Sequence, residues 1–247
     1  MMDGKGSNGN GSTPSFTVNA SGTTPFTKQY ADPARAAEAA AHHRWLSQLE
    51  AVAIPALLEE TESDLMFENI DGRHAEPGDL VAVAATMGTL HAAAWSTHLH
   101  QAELHRPFRC GDLTIADFLS PRRRVLARFP EAAAPRPAAL YKDSNVRNFL
   151  ITERGVTVID FDDLTLAPFG YDLAKLIVSS AMTYGRPDPA SVTDALEAYN
   201  ARIPAPAACP HKLLRVYTDI HHELTAPYLN RHGYRYRWPE VSPWPAA

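Results

Sequence analysis

The sequence predicts an α+β protein in two lobes: a small sheet with one helix over residues 1–70, then a mainly helical lobe over 71–247. Three observations carry this reading. Short apolar runs bounded by turn residues recur through the first part of the chain, around a single helical stretch. Helical periodicity takes over after Pro77, as in Leu80, Val83, Met87 and Leu90. Two apolar runs, 149–152 and 156–161, flank Glu153-Arg154-Gly155 and predict a hairpin with Gly155 in its turn.

The chain has 247 residues, of which 45% are hydrophobic, so one two-lobed unit or two small domains can hold a sizeable core. A formal net charge of −5 gives no basic excess for nucleic-acid binding. Cys110 and Cys209 lack C-x-x-C spacing, which argues against zinc and for free thiols in a reducing compartment. The N-terminus holds no apolar signal segment, and no apolar run is long enough to span a bilayer. A cytoplasmic location without membrane or nucleic-acid partners is the expectation.

Taken in order, residues 4–12 are rich in Gly, Ser and Asn and by composition alone read as an unstructured tail. A strand is expected at 16–18, and a second where Pro25-Phe26-Thr27-Lys28-Gln29-Tyr30 alternates. Asp32-Pro33 starts a helix, with an N-cap residue and then proline in the first turn. That helix should run past Ala36, Ala40 and Trp45 to about Leu49. Strands are expected at 51–58, with Pro55 marking an edge or bulge, and at 65–70. The helix after Pro77 carries His91, which reads as a packed core histidine. Another helix is expected over 115–129, with Arg122-Arg123-Arg124 on a solvated face, followed by a Pro/Ala linker over 130–137. Asp172 opens a helix through Met182, where its carboxylate can cap backbone amides. Further helices are expected from Pro189 or Ser191 to about Ile203, and over 211–231. In the last of these, His221-His222-Glu223 cannot share a metal, because adjacent helical residues point apart. They read as surface or cleft residues. The aromatic tail over 234–247 should pack over the large lobe.

Chemistry concentrates at 140–178. Asp143 and Asn148 precede the hairpin at D-x-x-x-x-N spacing, and Asp160 and Asp162 follow it. A hairpin folded on itself brings Asn148 and Asp160 to one end, and Asp143 can face the same space. Phosphoryl transfer needs a carboxylate to take the proton of an attacking hydroxyl, and oxygen ligands for Mg²⁺ on nucleotide phosphates. Magnesium keeps several waters, so one carboxylate and one amide oxygen suffice. Asp143 is the candidate base, and Asn148 and Asp160 are the candidate metal ligands.

These residues resemble a known family. Tyr141-Lys142-Asp143 through Asn148, Val158-Ile159-Asp160-Phe161-Asp162 and Asp172-Leu173-Ala174 are similar, in order and interval, to motifs of the aminoglycoside phosphotransferase and choline-kinase-like branch of the protein-kinase fold. Tyr141 stands where that family has a histidine that braces the loop. The resemblance implies a two-lobed protein-kinase-like fold, with ATP or another nucleoside triphosphate as donor and Mg²⁺ as cofactor. It also implies further site residues. Gly6, Ser7 and Asn8 would form a phosphate-covering loop, the second reading of the 4–12 segment. Lys28 would hold phosphates with Glu38 as its partner. The hinge at 67–72, including Glu68 and Ile70, would bind adenine through its backbone. Asp172 would brace the catalytic loop. The family's helix and strand ahead of the glycine-rich loop have no counterpart in the sequence. A shortened small lobe is therefore expected, with its strand edge near 16–18 covered by a protein partner or a second copy.

Three functions are compatible with these motifs. The first is ATP-dependent phosphorylation of a hydroxyl on a small molecule, such as an antibiotic or metabolite. The second is a peptide- or protein-directed Ser/Thr kinase completed by a partner in a modification complex. No A-P-E segment follows Asp160-Phe161-Asp162 and Asp-Phe-Gly is absent, which favours the first. The third is a non-catalytic binding protein with a kinase fold. Acceptor pockets in such a fold would fall in the variable segments, here 113–129 and 192–231.

Overall fold

The computed structural model describes residues 13–16 and 24–244. The small lobe holds strands β1 (Thr13–Phe16), β2 (Phe26–Gln29), β3 (Leu57–Glu60) and β4 (Asp64–Phe67), and helix α1 (Pro33–Gln48). The strands form one antiparallel sheet in the order β1-β2-β4-β3. Asp32 starts α1 as its sequence predicts: Oδ1 accepts from the Ala34 amide at 2.9 Å, and Pro33 takes the first position. Ala36, Ala39 and Ala40 give α1 a smooth face that packs on Leu65 and Tyr30.

The strand expected at 16–18 meets β1 only at Phe16, and 17–18 lie outside the described residues. Nor does 51–58 form one strand. Pro55 has no N–H to give a ladder, and its carbonyl accepts from His43 Nε2 at 2.8 Å. Leu57–Glu60 pairs with β4, with a bulge between Leu57 and Glu59, and Ala53 makes an isolated parallel bridge to Thr157.

The remaining elements are β5 (Arg73–His74), α2 (Leu80–Thr97), β6 (Phe108–Cys110), β7 (Leu113–Ile115), α3 (Arg123–Leu126), β8 (Ala138–Tyr141), β9 (Phe149–Thr152), β10 (Gly155–Val158), β11 (Thr165–Pro168), α4 (Tyr171–Tyr184), α5 (Pro189–Asn200), α6 (His211–Thr225) and α7 (Trp238–Val241). The predicted hairpin is β9–β10, with Thr152 opposite Gly155 and a left-handed Gly155 closing it at φ 115°. β5 pairs with the outer edge of β9, and β8 pairs with β11.

The helix expected over 115–129 shrinks to α3, one turn. Pro121 interrupts the segment, and Asp117 Oδ1 accepts from the Ser120 amide at 2.6 Å to turn the chain. Arg122 is buried instead of solvated. Its guanidinium lies 5.0 Å from the Phe118 and Tyr141 ring centres and 5.3 Å from that of Tyr171, and Nη2 donates to Thr165 Oγ1 at 2.9 Å. The helix expected over 211–231 ends at Thr225, two residues before Pro227. His221 on it is a core residue, neither surface nor cleft. Its Nε2 donates to the Tyr171 carbonyl at 2.9 Å, and burial holds the imidazole well below its usual pKa.

α4 is the axis of the large lobe. Every residue from Tyr171 to Thr183 is buried, so the helix is surrounded on all sides. The tail packs over the lobe as expected, with Tyr234, Trp238 and Val241 buried and the Arg235 and Tyr236 amides donating to the Met182 carbonyl. Among the described residues no helix is long and apolar enough to cross a membrane. Both cysteines are free thiols.

α2 and α5 meet backbone to backbone at Gly88. A Cβ there would stand 2.6 Å from the Tyr199 carbonyl oxygen and 3.1 Å from the Arg202 side chain. Gly88→Ala should therefore lower the melting temperature. Overpacking costs about 1–3 kcal/mol, and a carbonyl fixed in α5 puts this site at the upper end. The gain in helix propensity, about 1 kcal/mol, offsets only part of it. Calorimetric unfolding checks this, and a variant melting at or above wild type would refute the close crossing.

Candidate active site

The hairpin and the loop before it build the site. Asp143 and Asp160 both adopt left-handed backbone, with φ of 58° and 67°. Non-glycine residues hold that region only when their surroundings dictate it, and the cost is about 1–3 kcal/mol each. Four side chains fix the loop around Asp143. The buried Asp172 carboxylate accepts from the Ser144 amide at 3.0 Å and the Lys142 amide at 3.4 Å. Ser179 Oγ accepts from the Val146 amide at 3.0 Å. Asn145 Oδ1 accepts from the Arg147 amide at 3.1 Å. Asn148 Nδ2 donates to the Asp143 carbonyl at 3.1 Å. At the hairpin's open end the Ile159 amide donates to the Asn148 carbonyl at 3.0 Å, which sets Asn148 beside Asp160.

Lys28 reaches across from β2. Its Nζ lies 2.6 Å from Asp160 Oδ1 and 2.9 Å from Asp162 Oδ1. Burial alone would lower the Lys28 pKa, but the two carboxylates outweigh it and hold the ammonium above the usual lysine range. Burial likewise pushes Asp160 upward, and Lys28 outweighs that push and holds it below the usual carboxylate range. Tyr30 Oη donates to Asp162 Oδ1 at 3.0 Å, and Arg35 Nη1 to Asp163 Oδ1 at 2.6 Å. Small lobe and acidic loop are thus locked by charge.

Glu38 does not join Lys28. Its carboxylate is half exposed and sits 3.9 Å from Arg35. The helical phase explains this: the positions of α1 that line the cleft are Ala39 and His43, one turn apart, and Glu38 is rotated away from them. A cavity of about 380 Å³ lies between the lobes. Phe67, Glu68, Asn69 and Ile70 line one end, and Lys28, Asn148, Asp160 and Asp162 the other. Glu68 also ties the hinge to its neighbour, with its amide donating to the Ala56 carbonyl at 2.8 Å and its Oε2 accepting from the Ala56 amide at 3.3 Å. Gly6, Ser7 and Asn8 lie outside the described residues.

Asn148 and Asp160 supply one amide and one carboxylate oxygen to the same cavity wall. With Nδ2 committed to the Asp143 carbonyl, Asn148 turns Oδ1 elsewhere. Two hard oxygen donors suit Mg²⁺ that keeps waters and phosphate oxygens as its other ligands. Among the described residues no group of three or more His, Cys, Asp or Glu could hold a metal by itself. The sequence reading placed Asp162 and Lys142 in its motifs without giving them a role, and did not single out Lys175. The signals were position alone, two residues past Asp160, one before Asp143, and three past Asp172.

A two-lobed protein-kinase-like fold with this loop, hairpin and cross-lobe lysine defines a phosphotransferase. The chain belongs to the phosphotransferase enzyme family, whose sequence model matches residues 8–210. Comparison with curated proteins finds no significant sequence match. Solved structures with the same fold include macrolide 2'-phosphotransferase MphH from Brachybacterium faecium, 16% identical over 90% of this chain and 82% of that one, TM-score 0.60. Choline kinase LicA from Streptococcus pneumoniae is 14% identical over 85% of this chain and 77% of that one, TM-score 0.56. Amicoumacin kinase hAmiN, solved with AMP-PNP, Ca²⁺ and Ami, is 15% identical over 85% of this chain and 78% of that one, TM-score 0.55.

Lys142 yields a test of the electrostatics beneath the loop. Its ammonium is buried without a hydrogen-bond partner among the described residues, 5.0 Å from the Phe149 ring centre and 5.3 Å from that of Phe161. Burial lowers its pKa, only partly countered by Asp172 and Asp160. Between that lowered value and the ordinary lysine value of 10.5 the unfolded chain binds more protons, so stability rises with pH across this window. Lys142→Met should remove that rise and be more stable than wild type at neutral pH by about 1–3 kcal/mol. Urea titrations at pH 7 and 10 measure both effects. A variant less stable at both would show that the amine is satisfied.

Proposed function

We propose that this chain transfers the terminal phosphoryl group of ATP to a hydroxyl of a small molecule. The observation that carries the reading is the meeting of Lys28 from the small lobe with Asp160 of the large lobe at 2.6 Å, at the inner end of the interlobe cavity. A phosphate-binding cation and a metal-binding carboxylate have to converge there for such a transfer. Residues 1–70 serve as the nucleotide lobe, and 71–247 as the catalytic and substrate lobe. Adenine fits the end at Glu68 to Ile70, and Lys28 holds the phosphates. Asn148 and Asp160 hold Mg²⁺, which when bound neutralises charge on the phosphates. Asp143 takes the acceptor proton. The acceptor oxygen forms its bond to phosphorus, the bond to the leaving diphosphate oxygen breaks, and ADP retains that electron pair. Structural neighbours named as a macrolide 2'-phosphotransferase, an amicoumacin kinase and a choline kinase support a small-molecule acceptor, and the neighbour solved with AMP-PNP and Ca²⁺ supports nucleotide and divalent metal.

One observation favours a second reading, a kinase-fold binding protein without transfer. Glu38 stands away from Lys28, so among the described residues α1 brings no carboxylate to that lysine. Turnover separates the two. Asp143→Ala should lower ADP release in an acceptor panel roughly 10²–10⁴-fold with ATP binding retained. A variant as fast as wild type removes Asp143 from the reaction, and a wild type with no turnover on any acceptor favours the second reading.

Magnesium gives an independent check. Calorimetric ATP binding should tighten when Mg²⁺ is added, and Asp160→Asn should lose that enhancement. Binding that ignores Mg²⁺ in the wild type would sink the metal assignment.

A further inference from the structure

The Asp143 carboxylate is held from one side. Tyr141 Oη donates to Oδ1 at 2.9 Å, and Lys175 Nζ lies 3.1 Å from the same atom. We propose that Tyr141 and Lys175 are positioning residues that clamp Oδ1 and leave Oδ2 as the atom that takes the acceptor proton. This rests on Asp143 being the base, as proposed above.

The side chain of Asp143 is 53% exposed, so water and free rotation would otherwise scramble its two oxygens. Two donors on one oxygen, one of them charged, fix the rotation. Both donors are themselves immobile. The Tyr141 ring stacks on His221, with ring centres 5.6 Å apart and planes 19° apart, and Arg122 lies 5.0 Å from its centre. Lys175 is buried, and its three protons have three acceptors: Asp143, Tyr234 Oη at 3.3 Å and Thr225 Oγ1 at 3.5 Å. Tyr234 Oη is held in turn by Asn145 Nδ2 at 3.1 Å.

Burial would lower the Lys175 pKa, and Asp143 with Tyr234 outweighs it, holding the ammonium above the usual lysine range. The placement follows from helical phase. Lys175 lies three residues past Asp172, on the same face of α4. Asp172 grips the backbone on both sides of Asp143, and Lys175 grips the side chain between. In the transfer, the acceptor proton passes to Oδ2, the acceptor oxygen bonds to phosphorus, and the bond to the leaving diphosphate breaks with its electrons on the diphosphate.

The test uses the full chain and MgATP, with water as the acceptor and ADP release as the readout. Tyr141→Phe and Lys175→Met should each lower kcat by about 10–100-fold, the scale of a displaced catalytic group, with KM for ATP unchanged. Tyr141→His, which returns a ring donor, should recover most of the loss. In an Asp143→Ala background neither substitution should reduce turnover further, because both act through that carboxylate. Tyr141→Phe keeps the ring stack and carries the test if Lys175→Met does not fold. If Asp143→Ala is slow while Tyr141→Phe keeps wild-type kcat, the clamp fails and the base assignment stands. If Asp143→Ala is as fast as wild type, the base assignment fails and takes the clamp with it. Losses that persist in the Asp143→Ala background would also overturn the clamp.

Discussion

The buried carboxylate of Asp172 is the constraint on which the site depends. It accepts from two loop amides, those of Ser144 and Lys142, and its Oδ2 lies 3.7 Å from His91 Nε2. His91 Nδ1 lies 2.8 Å from Tyr199 Oη, and that hydroxyl accepts from the Gly170 amide at 3.1 Å. With the amide as donor, the hydroxyl proton is free for Nδ1, and His91 carries its hydrogen on Nε2, toward Asp172. One chain of polar contacts thus joins the loop to α2, to the start of α4 and to α5. Every member is buried, so each partner left alone would cost far more than the pair gains.

The left-handed turns at Asp143 and Asp160 follow from this anchoring. Neither residue gains by itself from φ near 60°. The loop accepts the strain because Asp172, Ser179, Asn145 and Asn148 over-determine it. The Asp160 turn is held by Lys28 and by the ladder bond from Ile159 to Asn148. Left-handed backbone also occurs at Glu50, Asn230 and His232, but within the acidic site it falls on these two acids.

Much of this was legible in the sequence. The hairpin showed in two apolar runs around Gly155, α1 in Asp32-Pro33 and α2 in its periodicity, while the Asp172 brace came from the family resemblance. What was missed has physical reasons. Glu38 is one residue off the cleft-facing phase of α1, and that phase is hard to read where Ala36, Ala37, Ala39, Ala40 and Ala41 flank it. Arg122 reads as solvated in an Arg-Arg-Arg run, because the three rings that shelter it come from three different segments. Pro121 ended a helix that the apolar pattern alone would have continued. Lys175 sits in a run of apolar residues, and only the fold reveals that its head meets Asp143.

The segment just after α6 clasps the loop around Asp143. Tyr234 Oη serves Asn145 and Lys175, and the His232 carbonyl accepts from Arg147. Gly233, at φ 80°, leaves no room for a Cβ beside the Arg147 guanidinium. These partners stand 89 and 85 residues apart along the chain. Contacts of such separation carry a high loop-closure cost and are made after local structure has formed. On a ribosome the hairpin and α4 can therefore assemble well before residues 232–234 emerge to clasp the loop that precedes the hairpin.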